Sequence, residues 1–165
     1  MAPVSSARTL ALLRRVHDRH GPQSFGRIGQ TLLALSFQAC GFKVTRNPVG
    51  VPDIRALHDN PARGFAVEVK TSEGGKVTLQ DRELKGITES GLIPTVAALW
   101  FPHSDPRWLL VDGRDVIAGT YEMIQLARRR PVDLGFDLNQ TFRALLASRV
   151  DSILANPRAL EDSLA

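Results

Sequence analysis

Apolar residues recur along this chain with two periods, and the switches between them mark out the expected elements. From Ser5 to His20, Leu10, Leu13 and Val16 share a face at helical spacing. A serine pair stands where an N-cap is needed, and Gly21-Pro22 closes the segment. A second helix is expected from about Ser24 to Cys40, ended by Gly41. It carries Ile28, Leu32, Leu35 and Ala39 on one side and Leu33 and Phe37 on the other, so it should be buried on both. The period then shortens. Phe42 to Arg46, Val51 to Leu57 and Gly64 to Thr71 read as three short strands. Asn47-Pro48 and a turn over His58 to Arg63, which holds Asn60-Pro61, separate them.

Glu73-Gly74-Gly75-Lys76 reads as a flexible loop, and Thr78 to Ser90 as a helix capped by Thr78 and stopped by Gly91. Ile93 to Phe101 and Trp108 to Val111 are continuous apolar runs, the pattern of strands covered on both faces. Tyr121 to Arg129 is a further helix. Leu138 to Leu154 shows the clearest helical spacing, through Leu138, Phe142, Leu145, Leu146, Val150, Ile153 and Leu154, and Asn156-Pro157 end it. The order is helix, three strands, helix, two strands, with extra helices at both ends. That is an α/β chain with a mixed sheet between helical layers. No repeat or linker divides its 165 residues, so one domain is expected over 1–165.

Composition changes this picture little. One cysteine, Cys40, excludes an internal disulfide, and a reducing, cytoplasmic setting is the expectation. No apolar run approaches the roughly 18 residues of a membrane span. Leu10 to Leu13, followed by Arg14-Arg15, is too short for the core of a signal peptide. Charge matters more. The formal net charge is +4 and the sequence pI about 9.8, a footprint of nucleic-acid binding. Aromatics at 6% argue against a base-stacking single-strand platform.

The chemistry concentrates in residues 50–70, GVPDIRALHDNPARGFAVEVK. Side chains alternate along a strand, so Phe65, Val67 and Val69 share one face and Ala66, Glu68 and Lys70 the other. Glu68 and Lys70 then point the same way, about 7 Å apart. If the second and third strands pair antiparallel, Asp53 falls beside them. Two carboxylates so close repel, and a hard divalent cation such as Mg²⁺ resolves the repulsion. Such an ion can activate water at a phosphodiester, and Lys70 can orient that water or offset developing charge.

Asp53, a hairpin and then Glu68-x-Lys70 resemble the PD-(D/E)xK signature of the restriction-endonuclease-like nucleases. Within them the chain is most similar to archaeal-type Holliday junction resolvases. Gly41-Phe42-Lys43-Val44 and the strand pair VAALWF…RWLLVD add to the likeness, which covers roughly residues 24–112. The resemblance implies an αβββαβ core and a Mg²⁺-dependent endodeoxyribonuclease, with Mn²⁺ as a substitute ion. Asp53, Glu68 and Lys70 would be catalytic, with metal held at Asp53, Glu68 and Val69. The implied partner is DNA, branched DNA included. Symmetric cutting of two strands implies a homodimer, for which the helix at Leu138 to Leu154 and part of Val96 to Phe101 are candidate surfaces. Such a helical stripe is more often core within one chain than a dimer surface.

One position departs from the family. Resolvases carry a glutamate on the first core helix where this chain has Gln30. Two readings stand: a neutral ligand to a metal or its water, or a buried polar residue bonded to a neighbour. Gln80 is open in the same way, as a residue facing the site or one exposed to water. Arg27, Arg46, Lys76 and Arg82 are candidate DNA contacts, with Lys43, Arg55 and Lys85 nearby in the pattern. Arg128-Arg129-Arg130 is a further patch or a complement to a helix C-terminus. A different class of function remains in view: a non-catalytic DNA-binding or scaffold protein that retains the nuclease fold. The four histidines show no zinc spacing with Cys40, and no Gly-rich nucleotide loop or Gly-x-Ser-x-Gly elbow is present.

Overall fold

The structure is a computed structural model and describes residues 2–47, 50–60, 62–72 and 74–164. Its centre is a five-stranded sheet in the order β1-β2-β3-β5-β6. These strands are β1 (Lys43–Arg46), β2 (Ile54–Asp59), β3 (Ala62–Thr71), β5 (Ile93–Trp100) and β6 (Arg107–Asp112). Neighbours pair antiparallel except β3 with β5, which run parallel. A parallel pair needs a crossover connection. Here it contains β4 (Lys76–Leu79) and helix α2 (Asp81–Thr88).

Alternation along β3 and β5 divides the core into two layers. Phe65, Val67, Ala97 and Leu99 pack with α1 (Ser6–Ala39) and α4 (Leu138–Ala155). Ala66, Val96 and Ala98 face the opposite way, onto Leu84 and Ile87 of α2 and Leu126 of α3 (Met123–Ala127). The fold is therefore a mixed α/β sandwich with helices on both faces of a mixed sheet. Among the described residues no helix is long and apolar enough to cross a membrane.

Gly21 does not end the first helix. It bends it. Its backbone (φ 82°, ψ 169°) lies in a region open to glycine, and Pro22 restarts the helix at once. Both arms then bury their apolar faces, Leu12, Leu13 and Val16 on one and Ile28, Leu32, Leu33 and Phe37 on the other. Ser5 caps the first arm, its side chain accepting the Arg8 N–H at 3.1 Å.

Several boundaries move for identifiable reasons. β2 starts at Ile54 rather than Val51, because residues 50–53 bend before the ladder begins. Thr78 is not a helix cap. Lys76 to Leu79 alternates exposed and buried residues and pairs with β7 (Gly119–Glu122) in a two-stranded ribbon. The helix after it starts at Asp81. Tyr121 belongs to β7, which leaves α3 only five residues. A final short helix, α5 (Arg158–Glu161), follows α4. Pro48, Pro61 and Glu73, assigned above to breaks and loops, lie outside the described residues.

Most of the two candidate dimer surfaces is occupied within the chain, with Trp100 left half-exposed. Leu138, Phe142, Leu146, Val150 and Ile153 of α4 are buried against α1, and Val96 to Leu99 are fully buried in the sheet.

Candidate active site

The β2–β3 hairpin sets Ile54 opposite Val67, which brings Asp53 level with Glu68. Asp53 Oδ2 accepts the Val69 N–H at 2.8 Å. That bond pins the bend before β2 to the outer end of β3. Gly86 of α2 adds a second constraint, since a Cβ there would lie 2.2 Å from Val51 Cγ1. The helix can approach the bend only because residue 86 has no side chain.

Glu68 is 4% exposed. Its Oε1 lies 3.9 Å from Lys70 Nζ, and its Oε2 is buried with no hydrogen-bond partner among the described residues. Burial, then the negative charge of Asp53, then Glu83 push the Glu68 carboxyl up to about 9, with Lys70 acting in the opposite direction. Asp53 is raised as well. Burial outweighs the Val69 N–H, the bond to Glu68 and the charge of Lys70. At neutral pH the carboxyl pair by itself therefore keeps a proton, held on Glu68.

Glu83 completes the cluster, and the sequence reading missed it. Its Oε2 takes Lys70 Nζ at 2.5 Å and its Oε1 accepts the Gln80 N–H at 2.8 Å. Burial works against its charge, but the bonds from Lys70, Glu68 and the Gln80 backbone hold it below the usual carboxylate range. The signal was available. Glu83 stands three residues after the helix N-cap, the spacing at which a carboxylate reaches back to the cap N–H. Starting the helix at Thr78 hid it. Gln80 is that N-cap and is exposed, its backbone serving Glu83.

Asp53, Glu68 and Lys70 thus converge as the hairpin argument expected. Gln30 lines a neighbouring cleft. Glu68 and Lys70 lie on the α2 side of β3, whereas Gln30 projects from α1 into a cleft on the other side. This cleft has a volume of about 550 Å³, with Arg27, Arg46, Val69 and Thr71 also in its walls. Val69 is the link between the sides, because its N–H holds Asp53 while its side chain lines the cleft. Gln30 Nε2 and Arg46 Nε are buried there without hydrogen-bond partners among the described residues.

The remaining expected contacts scatter. Arg27 is exposed and forms a two-point ion pair with Glu161 of α5, at 2.5 and 3.1 Å. Lys76, expected in a flexible loop, sits on β4 opposite Glu122 of the ribbon. Arg82 is exposed in the first turn of α2.

Among the described residues no group of three or more His, Cys, Asp or Glu side chains could hold a metal ion. Asp53 and Glu68 make a smaller, two-acid set. Glu68 Oε2, buried and without a hydrogen-bond partner among the described residues, is the observation that fits the set to a cation, which would take the place of the proton Glu68 otherwise keeps.

No family model matches the chain, and no curated protein matches it. A solved structure does. The chain is similar to that of Hjc, a Holliday junction resolvase from the archaeal hyperthermophile Archaeoglobus fulgidus. Identity is 16% and the TM-score 0.49, over 62% of this chain and 86% of that one. The reading of the site rests on its own residues.

Proposed function

We propose that the protein is a Mg²⁺-dependent DNA endonuclease of the PD-(D/E)xK type, with Mn²⁺ able to substitute. The observation that carries this reading is buried Glu68 beside half-buried Asp53, its carboxyl raised by burial and by that neighbour's charge, with one oxygen lacking a hydrogen-bond partner among the described residues and a lysine alongside. A structure built for stability alone has no use for such a pair. Asp53 and Glu68 would hold the ion, with the backbone at Val69 beside them. Bound there, it would supply charge stabilisation and water activation at a phosphodiester.

The rest is done by the chain's own groups. Lys70 presents an ammonium beside Glu68, where it can donate to a phosphate oxygen or hold a water in line. Glu83 fixes where that ammonium sits. Arg46 and Arg27 offer guanidinium groups to the DNA backbone along the cleft. Glu161 has to yield Arg27 before that residue meets a phosphate. Branched DNA is the proposed substrate class, and a homodimer the proposed assembly for paired cuts.

A second reading has its own support. Lys70 is engaged at 2.5 Å by Glu83, and Gln30 adds no acid to the carboxylates. A DNA-binding scaffold would show the same features. Incubating the protein with a four-way junction, a splayed fork, linear duplex and single strand, in Mg²⁺ and in Mn²⁺, separates the two. Metal-dependent cuts that disappear in Glu68→Ala support the nuclease. Tight binding with no cleavage in either metal supports the scaffold.

A further inference from the structure

A second cleft opens where α1 bends. Its volume is about 660 Å³, within the range of small-molecule sites. The bend at Gly21 separates the two arms of α1 and leaves His17 of the first arm against Phe25 of the second. Those rings stand 5.1 Å apart edge to face, and Phe101 lies 5.8 Å from His17 and 5.1 Å from Phe25. Phe25 and Phe101 are 5% and 7% exposed, so they back the cluster. His17 is 38% exposed and offers its ring to the cleft.

The polar groups of this cleft suit a nucleotide. Arg14 lies on its rim, as does the exposed carboxylate of Asp18. A guanidinium meets a phosphate, and a carboxylate accepts from the exocyclic amine of a base. The floor is Thr71 and Ser72, the residues that follow Lys70. Ser72 Oγ donates to the Phe101 carbonyl at 2.8 Å, which ties the floor to the aromatic cluster. Thr71 also lines the cleft of Arg46 and Gln30, so the two hollows adjoin. Strand rise puts the floor only about 3–7 Å beyond Lys70.

We infer that this cleft holds one unpaired nucleotide of a DNA substrate, stacked on His17 next to the phosphate presented to Asp53 and Glu68. The inference rests on the endonuclease reading and narrows its substrate. A base inside a duplex has both faces covered by its neighbours, so it must leave the stack to reach His17. That cost is least for a base already single-stranded. The protein therefore prefers a fork or flap to a fully paired four-way junction. The low aromatic content of the whole chain does not oppose this, because one ring suffices for one base.

The test is fluorescence anisotropy with the full chain in EDTA, using a splayed fork, a fully paired four-way junction and a blunt duplex. The fork carries 2-aminopurine at its first unpaired position. The fork binds more tightly than the duplex, and His17→Ala weakens fork binding about fivefold or more while leaving duplex binding within about twofold. The 2-aminopurine dims on binding wild-type protein but not His17→Ala, and His17→Phe restores both signals. Three results overturn the proposal: a fork bound no more tightly than duplex, equal losses on all three DNAs in His17→Ala, or no rescue by His17→Phe. None of these readouts needs cleavage. Their failure in a protein that still cuts DNA removes this subsite alone, whereas fork binding without any Mg²⁺-dependent cutting removes the endonuclease reading.

Discussion

The two sides of β3 near its outer end hold opposite kinds of surface. On the α2 side Glu68, Lys70 and Glu83 are packed together and largely satisfy one another, except for one oxygen of Glu68. On the α1 side Arg46, Gln30 and Thr71 line an open cleft, and Gln30 Nε2 and Arg46 Nε find no hydrogen-bond partner among the described residues. A single strand separates them, and its alternation assigns each residue to a side. Proton and metal chemistry gains from a buried site with few waters, where charges act strongly. Holding a phosphate backbone needs open, exchangeable cationic contacts. One strand can serve both only if the carboxylates and the cationic cleft meet at its end, which is where the Asp53–Val69 bond lies.

Substitutions on the α2 side should have the largest effects. Asp53→Asn or Glu68→Gln is expected to take cleavage below detection, and Lys70→Ala to lower its rate by about 10²–10³. A thermal melt should show each variant still folded. Gly86→Ala comes next. A Cβ 2.2 Å from Val51 Cγ1 forces the bend before β2 away from α2. About 1–3 kcal/mol of stability should be lost, with cleavage reduced alongside because Asp53 is displaced. Denaturant melts and rates on the same preparation would show whether the two losses travel together.

The pH dependence of the metal-free protein tests the carboxyl pair without catalysis. Glu68 holds its proton up to about 9 in the folded chain and only to about 4.5 when unexposed to that environment. Between those values the native state binds more protons than the unfolded one, so stability falls as pH rises. Melting temperatures from pH 5 to 9 should decline without metal, and added Mg²⁺ should flatten the decline most at the alkaline end. A decline unaffected by Mg²⁺ would separate the pair from any cation.

The α1 side should respond more weakly. Arg46→Ala is expected to reduce affinity for all DNAs alike and to lower the salt slope by about one, with Mg²⁺ binding unchanged. Gln30→Glu is the smallest effect. Because Gln30 lines the cleft on the α1 side of β3, Mg²⁺ affinity at the carboxylates should stay as it is. A clear gain in affinity would join the two sides into one site.

Much of this arrangement was legible in the residue pattern. The Glu68-x-Lys70 spacing and the turn before it fixed which side chains share a face, and β3 carries Glu68 and Lys70 on one side as that period requires. The long 3.6 period of Leu138 to Leu154 likewise located α4 to within a residue. What was not legible depended on partners distant in sequence. β4 is four residues long and is a strand because Val77 pairs with Tyr121. Reading it as the start of a helix moved the cap from Gln80 to Thr78 and concealed Glu83. Gln30 was legible as a departure from the resolvase pattern the sequence resembles, but its side of the sheet follows from how α1 packs, which its sequence position does not state. The aromatic cleft exists only because Gly21 bends α1, whereas glycine followed by proline reads locally as a stop.

The central claim is that Asp53 and Glu68 stay together in order to hold a cation. Calorimetric titration of Mn²⁺ into metal-free protein at pH 7, repeated in buffers of different ionisation enthalpy, tests it most directly. The account predicts one ion bound by wild-type protein with release of about one proton, the one Glu68 carries, and no binding by Glu68→Gln. Binding of equal strength in wild type and Glu68→Gln, or no binding in either, would contradict it.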